Sequence, residues 1–226
     1  MKISVIIAAG GSSQRMGGQQ HKPLLMLNDQ SVIAYSLELF SQTAAVAQII
    51  IAAAACDLEQ ITAIAAAYPK VNAVIAGGAS RQQSVALALA KVDEEAELVA
   101  IHDGARPLLT RVDWLSLLSA AYLSGAAILA SPVTDSIKTC AGSLVGESLD
   151  RSRLIAVQTP QVFRRQLLLQ AYAEAEKDQY QATDDSALVE RLGVPVVVIM
   201  AKNANFKLTY ADDLLLAELT LQRRRS

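Results

Sequence analysis

Cysteine is scarce in this chain of 226 residues: Cys56 and Cys140 are the only two. That is too few for a disulfide framework, and their separation matches no metal-ligand motif. Histidine is equally scarce. His21 and His102 are the only two, which weighs against a zinc site. Neither sign of charge is in excess, since 20 basic and 22 acidic residues leave a formal net charge of −2. No bulk positive field is available to hold a long nucleic acid, although a local site can still be basic enough for a small phosphate. No apolar run approaches the roughly 20 residues of a membrane helix. The first such run, Ile3–Ala9, passes straight into a glycine turn and is too short for a signal peptide. These absences predict a cytoplasmic chain in a reducing setting, with neither membrane nor nucleic acid as partner.

Hydrophobic residues, by contrast, make up 52% of the chain and charged residues 19%, enough to bury a sizeable core. Short β-branched runs at Ile3–Ile7, Gln48–Ala52, Val71–Ile75, Leu98–Ile101, Ala127–Ala130 and Val194–Met200 alternate with helical patterns. The helical patterns fall at Ser31–Phe40, Leu58–Ala67, Gln82–Lys91, Val112–Leu123 and Arg164–Glu176, and Tyr210–Arg223 reads as a closing helix. Such alternation predicts an α/β fold whose mainly parallel, doubly wound sheet is covered on both faces. One segment breaks the rhythm. Residues 134–161 are polar with weak β alternation around Ala141-Gly142-Ser143, long for a plain connection. The segment reads as a projecting β-arm or as a hairpin on the sheet edge.

In an open α/β sheet, ligands bind at the carboxyl ends of the strands, and the polar and glycine residues of this chain gather there. After the first run comes Ala9-Gly10-Gly11, followed by Arg15 and Lys22. Glycines let backbone amides approach an anion, and the two cations would stand beside that nest. The spacing is neither that of a Walker loop nor that of a dinucleotide fingerprint. A second glycine turn, Gly77-Gly78-Ala79-Ser80-Arg81, enters a helix whose third residue after Arg81 is Ser84; Ser80 would cap it, and Arg81 is a site residue or a solvated charge. The fourth run ends in His102-Asp103-Gly104-Ala105-Arg106-Pro107. Asp103 suits Mg²⁺ beside substrate phosphates, a substrate hydroxyl, or a pair with Arg106 that pins the turn. Pro132–Lys138, Gln158–Gln161, Thr183-Asp184-Asp185 and Asn205–Thr209 read on their own as caps and turns.

In this order the segments resemble the nucleotidyltransferases that make CDP-linked small molecules, and in particular the 2-C-methyl-D-erythritol 4-phosphate cytidylyltransferases of non-mevalonate isoprenoid biosynthesis. The resemblance runs from Ile3 to about Leu219 and rests on the loop with Arg15-Met16 and Lys22 and on five further motifs. These are His102–Pro107, Pro132–Lys138, Gln158–Phe163, Thr183-Asp184-Asp185 and Asn205–Thr209. It implies a single Rossmann-like domain over 1–226, with a dimerisation β-arm at about 134–161 that reaches across a homodimer. It also implies transfer of CMP from CTP to a phosphorylated polyol, with Mg²⁺ carried mainly on the CTP phosphates and no metal held by a set of protein ligands. By the same resemblance Arg15, Lys22 and Lys207 match the catalytic cations. Ala9, Gly10, Gly11, Gly78, Arg81 and Ser84 match the nucleotide site. Asp103, Ser136 and Arg151 match the substrate site, Arg151 acting from the partner subunit. The chain departs from the usual family pattern at Ser13, His21, Ala79, Gly104 and Ser136. Ribitol 5-phosphate cytidylyltransferase and a catalytically inactive pyrophosphorylase-like regulator are the competing readings.

Overall fold

The computed structural model describes residues 1–11 and 21–225. The chain opens with β1 (Ile3–Ala9), a small β2–β3 pair (Met26–Leu27, Gln30–Ser31) and α1 (Val32–Ser41). There follow β4 (Val46–Ala53), α2 (Leu58–Ala65), β5 (Val71–Ala76), α3 (Arg81–Leu89), β6 (Leu98–Asp103), α4 (Arg111–Ser124) and β7 (Ala126–Pro132). A hairpin of β8 (Ile137–Ala141) and β9 (Leu144–Leu149) comes next. The chain then runs through β10 (Ile155–Arg164), α5 (Arg165–Lys177), α6 (Asp185–Glu190), β11 (Val197–Met200) and α7 (Asp212–Arg225). Seven strands form one sheet in the order β11-β7-β10-β6-β1-β4-β5. All neighbours pair in parallel except β10, which is antiparallel to β6 and β7.

Successive side chains of a strand point to opposite faces, and β1 feeds two cores in this way. Val5 and Ile7 pack with Leu37 and Phe40 of α1 and Trp114 and Leu117 of α4. Ile6 joins Val85 and Ala88 of α3 and Leu168 and Ala171 of α5 on the other face. Both faces of β1 meet apolar helices, which is why the strand is apolar on both faces apart from Ser4, whose hydroxyl donates to Gln48 at 2.8 Å. Helix ends follow local chemistry. The Ser80 hydroxyl accepts from the Gln83 amide at 3.0 Å, Thr110 accepts from Asp113 at 3.2 Å, and Asp184 accepts from Ala187 at 3.1 Å. Gly125 ends α4 at φ 86°, the left-handed conformation glycine adopts without strain.

Two expectations are corrected. The arm is shorter than 134–161: only the β8–β9 hairpin projects, as a two-stranded sheet of its own. The end of that span belongs to β10, a central strand, and Gln158, Thr159, Pro160 and Gln161 are buried in it rather than forming turns. Polar residues tolerate this burial because their side chains are bonded. Gln161 donates to Asp184 at 2.8 Å and accepts from the Ser186 amide at 2.9 Å, while Thr159 accepts from the Asp103 amide at 2.9 Å. No helix among the described residues is long and apolar enough to cross a membrane.

Candidate active site

Three strands end at one cleft. β1 delivers Ala9, Gly10 and Gly11; the turn after β5 delivers Gly78 and Arg81; and β6 delivers Asp103. Lys22, Ser84 and Lys207 complete a cavity of ≈ 480 Å³. Nine of the residues expected from the sequence therefore share one site. Arg15 lies outside the described residues. Ser136 and Arg151 are exposed near the base of the arm, and neither lines this cleft. The Arg151 guanidinium donates to the Thr134 carbonyl at 2.6 Å.

The second glycine turn is held by Ser84. Its hydroxyl accepts from the Gly78 amide at 3.0 Å and donates to the Ser80 carbonyl at 2.8 Å. The space at Gly77 is already taken: a Cβ there would sit 2.8 Å from the Ser84 Oγ and 3.3 Å from the Ala53 carbonyl. Only glycine lets the main chain pass here at this distance, so the turn presents its backbone, not side chains, to the cleft.

Asp103 is the electrostatic centre. One carboxylate oxygen accepts from Arg81 Nε at 3.1 Å; the other faces Lys207 Nζ at 3.0 Å and Arg106 Nε at 3.4 Å. Burial by itself would raise this carboxyl, but Arg81, Lys207 and Arg106 outweigh it and hold the group well below the usual carboxylate range. Arg81 is not a solvated charge. Burial disfavours its charge, yet Asp185 and then Asp103 hold it protonated beyond an ordinary arginine, and its second contact, to Asp185, is 2.8 Å. Arg106 pins the turn: it bonds Asp103 and donates to the Asn205 carbonyl at 2.9 Å. The pairing reading of Asp103 and Arg106 thus holds alongside a place for Asp103 in the cleft. Lys207, 41% exposed, is the one of the three partners with room to move.

Sequence reasoning missed the residues that hold Arg81. Asp185 is buried, and its other oxygen accepts from the Tyr172 hydroxyl at 2.6 Å. Burial and then Asp185 push the Tyr172 phenol far up, so it stays a donor. The Thr183-Asp184-Asp185 segment was legible as a helix start, and Asp184 is that cap. The following carboxylate has a different task, visible only once α3 and α6 are placed. Tyr172→Phe would leave Asp185 short of one charge-assisted bond. The expected loss is about 1.5–3 kcal/mol of unfolding free energy, readable by urea denaturation.

His102 is wholly buried, its ring meeting the edge of Phe40 at 5.3 Å between centroids. The ring nitrogens lie 3.2 Å from the Arg106 carbonyl and 3.3 Å from the Thr159 hydroxyl. A carbonyl only accepts, so Nε2 carries the proton and Nδ1 accepts from Thr159, whose oxygen in turn accepts from the Asp103 amide. Burial lowers the imidazole to about 4. His102 is a neutral strut beneath Asp103.

A family model described as 2-C-methyl-D-erythritol 4-phosphate cytidylyltransferase matches residues 3–223. This chain belongs to that family. It is therefore a nucleotidyltransferase, and the inactive-regulator and ribitol phosphate readings are not favoured. The enzyme of that name from Symbiobacterium thermophilum is 44% identical over 221 residues, covering 97% of this chain and 93% of that protein. The one from Halalkalibacterium halodurans is 39% identical, covering 99% of each. Among solved structures, the 4-diphosphocytidyl-2C-methyl-D-erythritol synthase of Anaerococcus prevotii superposes with a TM-score of 0.86 at 28% identity, covering 98% of this chain and 96% of that one. The cytidylyltransferase of Thermus thermophilus gives 0.80 at 32% identity, covering 99% and 100%.

Proposed function

We propose that the cleft binds CTP and transfers CMP to 2-C-methyl-D-erythritol 4-phosphate, releasing pyrophosphate. The observation that carries this reading is the meeting of two glycine turns, Lys22, Lys207 and Asp103 in one cavity. Backbone amides of Gly10-Gly11 suit phosphate contacts, and the Gly77-Gly78 turn, whose amides already donate to Ala53 and Ser84, offers its carbonyls to the base. Lys22 and Lys207, with Arg15 from the sequence, supply the positive charge that an attack on the α-phosphorus needs. Nucleotidyl transfer depends on positioning and charge stabilisation, so no protein nucleophile is required. In this picture Lys207 rests on Asp103 until a phosphate offers a stronger partner.

A second cavity of ≈ 500 Å³ shares Arg81, Asp103 and Lys207 with the first and is further lined by Gln158, Thr159 and Thr183. It suits the polyol phosphate, with Asp103 on the common wall. Magnesium fits as an ion carried by the triphosphate. Among the described residues the one carboxylate lining the CTP cleft, Asp103, already faces three cations, so they offer at most one shared ligand. Bound there, the ion would neutralise phosphate charge.

Pyrophosphate release from CTP, ATP and GTP with a panel of phosphorylated polyols tests this function. CTP with methylerythritol phosphate is expected to give the highest kcat/KM. Comparable turnover with GTP, or with ribitol 5-phosphate, would overturn the assignment.

The arm supports a homodimer with shared sites. Leu144 and Val145 at its tip are 73% and 74% exposed, and among the described residues its edges pair with no other strand. Arg151 and Ser136 at its base would reach the partner's substrate, the guanidinium gripping phosphate bidentately. Mixing inactive Arg151→Ala and Lys22→Ala chains is expected to restore activity, because one hybrid site carries neither defect. Mixtures that exchange subunits yet stay inactive would exclude this arrangement. The free thiols of Cys56 and Cys140 suit a reducing, cytoplasmic compartment.

A further inference from the structure

His21 and the Cys56-Asp57 pair are far apart in sequence but follow the carboxyl ends of neighbouring strands. β1 and β4 are parallel neighbours that end in register, Ala9 opposite Ala53. His21 begins the short 3-10 turn that carries Lys22, and Cys56 and Asp57 lie in the 3-10 turn after β4. The His21 Nδ1 is 2.5 Å from one Asp57 carboxylate oxygen. The Cys56 sulfur lies 3.8 Å from that nitrogen and 3.7 Å from the other Asp57 oxygen. One nitrogen, one sulfur and one oxygen thus lie within 4.8 Å of one another, close enough to ligate a single ion.

We propose that His21, Cys56 and Asp57 form a binding site for a single zinc ion, separate from the magnesium of the transfer reaction. Tetrahedral zinc with ordinary bond lengths separates a sulfur from a nitrogen or oxygen ligand by about 3.6 Å, and a nitrogen from an oxygen by about 3.3 Å. The sulfur–nitrogen distance already matches; the sulfur–oxygen distance that matches is to Asp57 Oδ1, whereas His21 Nδ1 meets Oδ2. The carboxylate has to turn so that one oxygen serves the ion, and the proton between it and His21 moves from Nδ1 through solvent to Nε2 as the ion takes its place. Asp57 gives a second, independent sign. It occupies the N-cap position of α2, where an aspartate ordinarily accepts from the first turn, yet its buried carboxylate makes no cap bond and is turned to His21 instead. Cys56 is exposed and leaves the ion a way in.

The ligand set decides which ion. Thiolate and imidazole suit zinc, whereas magnesium demands oxygen ligands and keeps its water. On binding, Cys56 gives its thiol proton to solvent. His21 carries its ring proton on Nε2 and binds through Nδ1, and water fills the fourth position. The ion would tie the turn bearing Lys22 to the end of β4. The sequence could not show this site, because ligand spacing along the chain says nothing of residues that two parallel strands bring together at their carboxyl ends.

Cobalt(II) is the spectroscopic probe, added to the full chain in saturating Mg²⁺ without nucleotide. One equivalent should produce a thiolate-to-cobalt charge-transfer band in the near ultraviolet, and one equivalent of Zn²⁺ should abolish it. Cys56→Ser should remove the band and Cys140→Ser should leave it. Asp57→Asn and His21→Gln should each weaken binding by about tenfold or more, at least the loss expected for an outer-shell partner. Cys56 is exposed, so its variant should fold, and far-ultraviolet circular dichroism checks each chain. A band that survives Cys56→Ser, vanishes with Cys140→Ser, is displaced by Mg²⁺ or never forms would overturn the proposal.

Discussion

Replacing Lys22 with alanine is expected to lower kcat for CMP transfer by on the order of 10²-fold or more, the scale of removing one preorganised charge contact. The residue sits in the wall of the cleft at the first position of a 3-10 turn preceding the β2–β3 pair. The turn is held by its backbone: the Leu24 amide donates to the His21 carbonyl at 2.9 Å and the Leu25 amide to the Lys22 carbonyl at 3.3 Å. Alanine keeps both bonds, so the main-chain frame should persist while the charge is lost. If Lys22 acts on charge that develops in the transition state, kcat and kcat/KM should fall together with little change in KM. Steady-state pyrophosphate release with CTP measures this. A near-normal kcat would remove Lys22 from the chemistry, and a rise in KM alone would make it a ground-state anchor.

Acid should weaken the fold well before Asp103 is protonated, and His102 is the cause. Its pKa is lowered from 6.5 to about 4 by burial, the adjacent Asp103 offsetting only part of that effect. The unfolded chain takes up a proton as pH falls through 6.5, while the folded chain does not until about 4. Stability is therefore complete above pH 6.5 and declines below it. At ~1.36 kcal/mol per unit, the loss over that window is about 3 kcal/mol. Asp103, whose folded pKa is depressed, adds a further loss only below its unfolded value near ~4. Urea denaturation between pH 7 and 4 reads the slope directly. His102→Gln should be less stable at pH 7 but nearly flat over the window. An unchanged slope in that variant would mean that other groups carry the acid response.

What the sequence discloses about this molecule depends on how each residue meets its burial requirement. β1 and β6 lie between two helical layers, so their need for apolar side chains on both faces is written as the runs Ile3–Ile7, interrupted only by Ser4, and Leu98–Ile101. β10 is as central as β6 but meets its burial by hydrogen bonding. Gln158, Thr159 and Gln161 therefore look like loop residues until Asn205, Asp103, Asp184 and Ser186 are seen beside them. The cleft was legible wherever a glycine turn follows a strand, since a local backbone demand leaves a local mark. Arg81 and His102 were not resolved by sequence, because their states are fixed by partners remote in the chain. For Arg81 the deciding carboxylate is Asp185, 104 residues away, and for His102 it is the packing of Phe40 and Thr159 around the ring.

The arm has a consequence for how such a protein can vary. β7 and β10 are partners that end opposite one another, Pro132 against Ile155, and everything between them is a detour off the sheet. The detour carries its own ladder, from Ile137–Leu149 to Ala141–Leu144, and shares no strand pairing with the body. Lengthening such a closed excursion is nearly free for the body, since each doubling costs only about 0.6 kcal/mol in closure entropy. Insertions, deletions and rewritten tips are therefore tolerated by the nucleotide-binding half of the molecule. Drift in the arm is checked by whatever surface it must meet, and drift in the cleft by the reaction, so the two stretches can diversify at separate rates within one gene.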